Sequence, residues 1–166
     1  MTSSTPRTIS TLPPLLPARC RVLILGSLPG EASLRKVQYY GNPGNRFWPA
    51  MQHIGLVVDA RGPYAARIDA LQRRGIGLWD VILSAHRRGS SDASIRDVTP
   101  NPIDRVAIES GVRAVLFNGL TSRSTFDHFF PAFRGPDLLT MPSTSGSNVQ
   151  WWTRRDEWRA ILDYLD

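Results

Sequence analysis

Cysteine occurs once in the 166 residues, at Cys20. An internal disulfide and a four-cysteine iron–sulfur cluster are both excluded, and a reducing cytoplasm is the expected compartment. Lysine also occurs once, at Lys36, between two loops rather than at a strand end, which argues against Schiff-base chemistry. Apolar residues never run to the ~20 needed to cross a bilayer, and the first residues lack the charged-then-apolar layout of a secretory signal. A soluble protein with no membrane partner is therefore expected. The sequence has no G-x-G-x-x-G or G-x-x-x-x-G-K-[ST] phosphate signature and no cluster of residues at metal-ligand spacing. An enzyme of small nucleotides is disfavoured on this ground, and neither metal nor cofactor is expected.

Arginine is what the chain has in quantity. All its basic residues but Lys36 are arginines, and 20 bases against 14 acids leave a formal charge of +6 and a pI near 10.4. A polyanionic partner suits that charge. The arginines are scattered rather than run together, so a merely basic soluble enzyme stands as the alternative. With 42% hydrophobic residues, the chain carries enough apolar mass for one domain with a real core. Residues 1–19, with four prolines among serines and threonines, are expected to form a disordered or loosely packed leader to a single domain over 20–166.

Val22-Leu23-Ile24-Leu25 is apolar on both faces and stops at Gly26, the pattern of a buried parallel strand ending in a loop. Ligands of α/β sheets bind at such ends. Ser27-Leu28-Pro29-Gly30 reads as a tight turn, with Gly30 free to take positive φ and Glu31 favouring the first turn of a helix. Its backbone amides are candidates to face a ligand. Tyr39 to Asn45 is a second loop rich in turn formers, ahead of an amphipathic helix begun by Phe47-Trp48 and carrying Met51 and Ile54. Two readings of Asn45 stand together, a helix cap and a functional amide. Tyr39 and Tyr40 are likewise either packing residues or an aromatic platform.

Further along, Tyr64 to Arg74 has helical spacing closed by Gly75. Ile76 to Ile82 is a second strand-like run. It opens into His86-Arg87-Arg88-Gly89-Ser90-Ser91-Asp92, a polar loop too charged for burial, either solvated or suited to phosphates. A helix from Ile103 to Gly111 precedes a third strand, Val112 to Phe117, which ends at Asn118-Gly119. A helix with Phe126, Phe129 and Phe130 on its apolar face leads to a fourth strand, Leu138 to Met141, then to Pro142-Ser143-Thr144-Ser145-Gly146-Ser147-Asn148. Trp151 to Leu165 reads as an amphipathic helix, and His53 and His128 fall within helical patterns as structural residues. Strand and helix alternate throughout, so the expected fold is α/β, a three-layer α/β/α arrangement around a mostly parallel, four-stranded twisted sheet.

The run Gly26-Ser27-Leu28-Pro29-Gly30, followed by Tyr40, Pro43, Asn45, Phe47 and Trp48, resembles the first motif of the uracil-DNA glycosylase superfamily. Its G-S-x-P-G form is most similar to the hypoxanthine-DNA glycosylase branch, also called family 6 or DNA-deoxyinosine glycosylase. Phe117-Asn118-Gly119 and Pro142-Ser143-Thr144-Ser145 agree in order and spacing, and the likeness spans residues 21 to about 152. The resemblance implies a monomeric, monofunctional, cofactor-free DNA glycosylase of base excision repair. Such an enzyme flips hypoxanthine or uracil out of damaged DNA, hydrolyses its N-glycosidic bond, and leaves a free base and an abasic site.

Under that resemblance Asn45 and Asn118 are the catalytic residues. Gly26, Ser27, Leu28, Pro29 and Gly30 bind the base together with Tyr40, which stacks on it. Ser143, Thr144, Ser145, Gly146, Ser147 and Asn148 contact the DNA, joined by Arg87 and Arg88 of the polar loop. The chain departs from the pattern in three places. Leu28 stands where many members hold water with a carboxylate or amide, and Pro43-Gly44 precedes Asn45 where this branch commonly has an arginine. Ser147 stands where the mismatch-specific branch has a leucine wedge, which leaves Asn148, Val149, Trp151 or the 86–92 loop to fill the gap. A uracil-specific enzyme and a non-catalytic binder of damaged or abasic DNA are the alternatives, the second motivated by Leu28.

Overall fold

Four short apolar strands and the helices that connect them organise the computed structural model, which describes residues 7–165. In chain order the elements are β1 (Arg7–Ser10), β2 (Val22–Gly26), α1 (Glu31–Lys36), α2 (Phe47–His53), α3 (Tyr64–Arg73), β3 (Ile76–Asp80) and β4 (Ile82–Arg87). They continue with β5 (Arg96–Pro100), α4 (Ile103–Ser110), β6 (Ala114–Asn118), α5 (Leu120–Phe129), β7 (Asp137–Met141) and α6 (Trp151–Arg154).

The main sheet has the order β3-β2-β6-β7, with every pair parallel. β2 is central because all five of its residues are buried, as a strand covered on both faces must be. Its side chains feed two layers by the period of two. Val22 and Ile24 pack with Phe47, Trp48, Met51, Leu71 and Trp158, whereas Leu23 and Leu25 pack with Ile103, Ala107 and Phe126. The result is the expected three-layer α/β/α arrangement. Pairing in register also levels the strand ends. Gly26 lies opposite Asp80, and Asn118 opposite Met141, so these ends share one rim.

A second, antiparallel sheet of order β1-β4-β5 goes beyond the sequence expectation. Arg7–Ser10 pairs with Ser84–Arg87, Leu12 is buried, and Leu15 bridges Leu78 on the edge of β3. The described part of the 1–19 segment is therefore built into the fold rather than loosely packed. Residues 1–6 lie outside the described residues. Only Ile9 of β1 is buried, so this edge strand carries almost no apolar signal. β4 starts two residues past β3, where Val81 N–H donates to Gly26 O at 2.9 Å and Ile82 N–H to Ser27 O at 3.1 Å. His86 and Arg87 consequently lie in a strand, not in the expected loop.

The last segment is α-helical only over α6 and continues as a 3₁₀ run over Arg155–Tyr164. Trp158 and Ile161 are buried three residues apart, which matches a three-residue turn. Trp158 Nε1 donates to Pro142 O at 3.0 Å and so pins the start of the serine-rich loop. Among the described residues, no helix is long and apolar enough to cross a membrane.

Candidate active site

The carboxyl ends of the parallel strands open into a cavity of about 500 Å³. Gly26, Ser27, Leu28, Pro29, Gly30, Tyr40, Asn45 and Asn118 all line it, with Ser143, Thr144, Ser145 and Ser147 of the serine-rich loop. The fold thus brings together the residues singled out at three of the strand ends. At Gly26 the need for glycine is one of close approach, since a Cβ there would stand 2.6 Å from Asp80 Oδ1. Gly30 has φ −73° and ψ 169°, an extended conformation open to any residue, so the expected positive φ is absent. It falls instead on Tyr40, at φ 56°.

Arg87, expected on a phosphate-facing loop, is buried instead. It is 1% exposed, and its guanidinium donates to the carbonyls of Gly89, Leu28 and Pro29. A planar fork with five donors suits three converging carbonyls, and burial lowers its pKa while Asp92, Glu31 and Asp80 favour its charge. Arg87 therefore braces the 26–30 loop from within and is closed to phosphate. Arg88 has an exposed side chain, and Ser94 Oγ holds its backbone at 2.9 Å.

The two asparagines meet through Thr144. Phe47 N–H donates to Asn45 Oδ1 at 2.9 Å, the Asx turn that leads into α2. Thr144 Oγ1 donates to the same oxygen at 2.8 Å and accepts from Asn118 Nδ2 at 2.8 Å. Thr144 N–H returns to Asn118 Oδ1 at 2.9 Å. A backbone N–H can only donate, so the two backbone donors at the ends of this chain settle both amide orientations and the hydroxyl's direction. Asn45 Oδ1 then has both lone pairs filled, whereas its Nδ2 has no partner among the described residues, and Asn45 lines the cavity. The cap and the free amide are two ends of one side chain. Thr144, expected to touch DNA, is 1% exposed and is committed to this network instead.

Tyr40 stacks on Phe47 with ring centroids 4.0 Å apart and an interplanar angle of 21°. Its hydroxyl is buried with no well-formed hydrogen bond among the described residues, and burial followed by the charge of Asp80 raises its pKa against the weaker opposing pull of the nearby Asn118 side chain. Asp80 is the residue the sequence reading missed. It is 5% exposed, it lines the cavity, and its Oδ2 is buried with no hydrogen-bond partner among the described residues. Burial first, and then the negative charge of Asp92, push its carboxyl up to about 7 against the pull of Arg87. Asp92 stands at the lip, where Ser27 Oγ donates to its Oδ2 at 3.1 Å. Burial raises the Asp92 carboxyl, against the Ser27 bond and Arg87. An acid directly terminating an apolar strand in register with Gly26 was the available signal.

The loops bearing Asn45 and Thr144 are zipped together. Arg46 N–H donates to Thr144 O at 2.8 Å, Arg46 Nη1 donates to Asn148 O at 3.1 Å, and a Cβ on Gly146 would meet Gly44 O at 2.8 Å. Asn148 is tied down further, its Nδ2 donating to Ser143 O and its Oδ1 accepting from Gln150 N–H. Ser147 is exposed, with its Oγ 2.9 Å from Ser145 Oγ. Trp151 is 3% exposed and unable to enter DNA, whereas its neighbour Val149 is 94% exposed. Trp152 lies under the guanidinium groups of Arg46 and Arg155, 5.5 and 5.2 Å from its ring centroid. Lys36 Nζ donates to Gly41 O at 2.7 Å.

Fold and site define a small α/β protein with a cavity at the carboxyl ends of a parallel sheet, where ligands of such sheets bind, beside an exposed polar loop. Comparison with known proteins names the family. Residues 13–166 match the Uracil DNA glycosylase superfamily. A hypoxanthine DNA glycosylase of Methanosarcina acetivorans is 37% identical over 155 residues, which cover 90% of this chain and 95% of the relative. One from Methanosarcina barkeri is 39% identical over 140 residues, covering 82% and 85%. The solution structure of a Methanosarcina acetivorans protein, 32% identical, superposes with a TM-score of 0.81 over 96% of this chain and 99% of that one. The chain belongs to the Uracil DNA glycosylase superfamily, and it is a DNA glycosylase.

Proposed function

We propose that the protein is a monofunctional, monomeric glycosylase that excises hypoxanthine from damaged DNA in the cytoplasm, leaving an abasic site. The observation that carries this reading is the Asn45–Thr144–Asn118 chain on the cavity wall, supported by the two relatives described as hypoxanthine DNA glycosylases. Asn45, with its oxygen saturated and its Nδ2 free, acts as a donor. It holds the oxygen of the attacking water or of the base and does not take a proton. Asn118, locked by Thr144 at both ends of its amide, presents a fixed edge beside the base. Tyr40 has one face on Phe47, and its other face stacks on the flipped base, for roughly 1–3 kcal/mol. Ser27 and the backbone of the 26–30 loop hold the base carbonyl.

Ser143, Ser145 and Ser147 grip the phosphates around the lesion with Arg88, and Val149 fills the gap that the flipped nucleotide leaves. Lys36 is held on Gly41 and is not among the residues lining the cavity, which supports hydrolysis without a Schiff base. The test is incubation with end-labelled duplexes carrying one hypoxanthine or one uracil, followed by alkali to cut abasic sites. Cleavage at hypoxanthine, faster than at uracil, is expected. Cleavage at uracil alone would overturn the substrate assignment, and protein bound to an intact hypoxanthine strand would identify a non-catalytic binder.

A further inference from the structure

We propose that Asp80 is the acid of the excision step: from the cavity floor its protonated carboxyl gives its proton to the departing base, to N7 where that base is hypoxanthine. The proposal rests on the hypoxanthine reading above and adds to it a group that neither the sequence motifs nor the asparagine network supplies. Three geometric observations carry it. Asp80 closes β3 directly opposite Gly26, so its carboxyl enters the cavity at the turn that receives the base. Gly26 has no side chain where Asp80 Oδ1 approaches, and any Cβ would meet that oxygen at 2.6 Å. Asp80 Oδ2 is buried and has no hydrogen-bond partner among the described residues, a costly condition for a carboxylate and one that a protonated acid relieves.

The groups acting on Asp80 are Asp92 and Arg87, of opposite sign, with the phenols of Tyr40 and Tyr39 on the wall and Glu31 beyond Arg87. Burial outweighs the one cation and holds the carboxyl to about 7, near the pH at which a general acid works best. Asp92 is the less buried acid of the pair, and two carboxyls with separated environments are the usual arrangement for dividing acid and carboxylate roles.

The C1′–N9 bond breaks with its electron pair passing into the purine, while the Asp80 O–H bond breaks and its proton forms N7–H on a neutral leaving base. Water adds to the sugar cation at C1′ and releases a proton to solvent, and solvent returns one to Asp80. One water is consumed for each base released. Adenine-like leaving groups and purines share N7, whereas a pyrimidine has no such nitrogen, so the acid matters most for hypoxanthine.

The experiment follows single-turnover release of base from a hypoxanthine duplex between pH 5 and 9, for the wild type, Asp80→Asn and Asp80→Ala. Binding of the same duplex by fluorescence anisotropy checks that each variant is folded. The wild-type rate is expected to fall about tenfold per pH unit above about pH 7. Asp80→Asn keeps the shape and a hydrogen-bond donor but has no proton to give. It should bind within about threefold of the wild type, react roughly 10²- to 10⁴-fold more slowly, and lack the falling limb. Because the wild-type profile is decisive by itself, loss of either variant to misfolding does not remove the test. A wild-type rate flat to pH 9, or an Asp80→Asn variant as fast as the wild type, would overturn the proposal and leave the hypoxanthine reading standing. Failure of the wild type to release hypoxanthine at any pH would defeat both.

Discussion

At the scale of single residues, the cavity is marked by side-chain atoms that have no partner among the described residues. Asn45 gives up its oxygen to Phe47 N–H and Thr144 Oγ1, and under the proposed function its amide nitrogen is the group that meets the ligand. Thr144→Val preserves volume and removes the hydroxyl that joins the two asparagines. We expect excision to slow roughly tenfold, about 1–1.5 kcal/mol for one lost hydrogen bond, with duplex affinity unchanged. Single-turnover kinetics check this, and an unchanged rate would mean that the link is only decorative. Asp80 makes a separate thermodynamic prediction. The folded protein holds its carboxyl at about 7 rather than the ordinary 3.8, so it keeps a proton that the unfolded chain has lost. Stability from this group is therefore complete below about pH 4 and is lost as pH rises through about 7. Wild type should lose about 3 kcal/mol relative to Asp80→Asn between pH 5 and pH 8, measured by urea unfolding. Parallel profiles would contradict the burial account.

At the scale of elements, the parallel strands were readable because each is a short, mostly apolar run, three of them ending in a glycine or a polar residue, and Asn118 is marked by that position alone. Three things were not readable, for separate physical reasons. β1 is an edge strand with one buried side chain, and the prolines that follow it look like a disordered leader. Asp80 continues an apolar run without a break, and only the register with Gly26 reveals that it faces a cavity. Arg87 belongs to a run of charges that suggests solvent, yet three carbonyls from two loops fold around it, a pairing that depends on residues 59 positions apart in sequence. Arg87→Met tests that brace. Leaving those carbonyls unpaired should cost about 3 kcal/mol of stability and raise KM by loosening the 26–30 loop. Arg87→Lys should recover little, because an ammonium lacks the fork. Full stability in Arg87→Met would show the brace to be dispensable.

At the scale of the whole molecule, one rim collects the ends of the parallel strands, and the chain as a whole carries a formal charge of +6. That charge predicts a salt-sensitive encounter with duplex DNA. Displacing counterions from about three phosphates weakens binding roughly fortyfold between 50 and 200 mM salt, which fluorescence anisotropy can follow. Affinity independent of salt would place recognition in the cavity alone. The core on both faces of β2 fixes the sheet, the sheet levels the strand ends, and the zipped loops bring Asn45 and Asn118 to one wall. The most direct test of this account compares wild type and Asn45→Ala on the same hypoxanthine duplex, with single-turnover excision and equilibrium binding measured side by side. Excision should fall at least about 100-fold while affinity stays within about threefold, and losing the Asx turn should cost about 1 kcal/mol of stability. Excision by Asn45→Ala at the wild-type rate would contradict the central claim that this amide carries the chemistry.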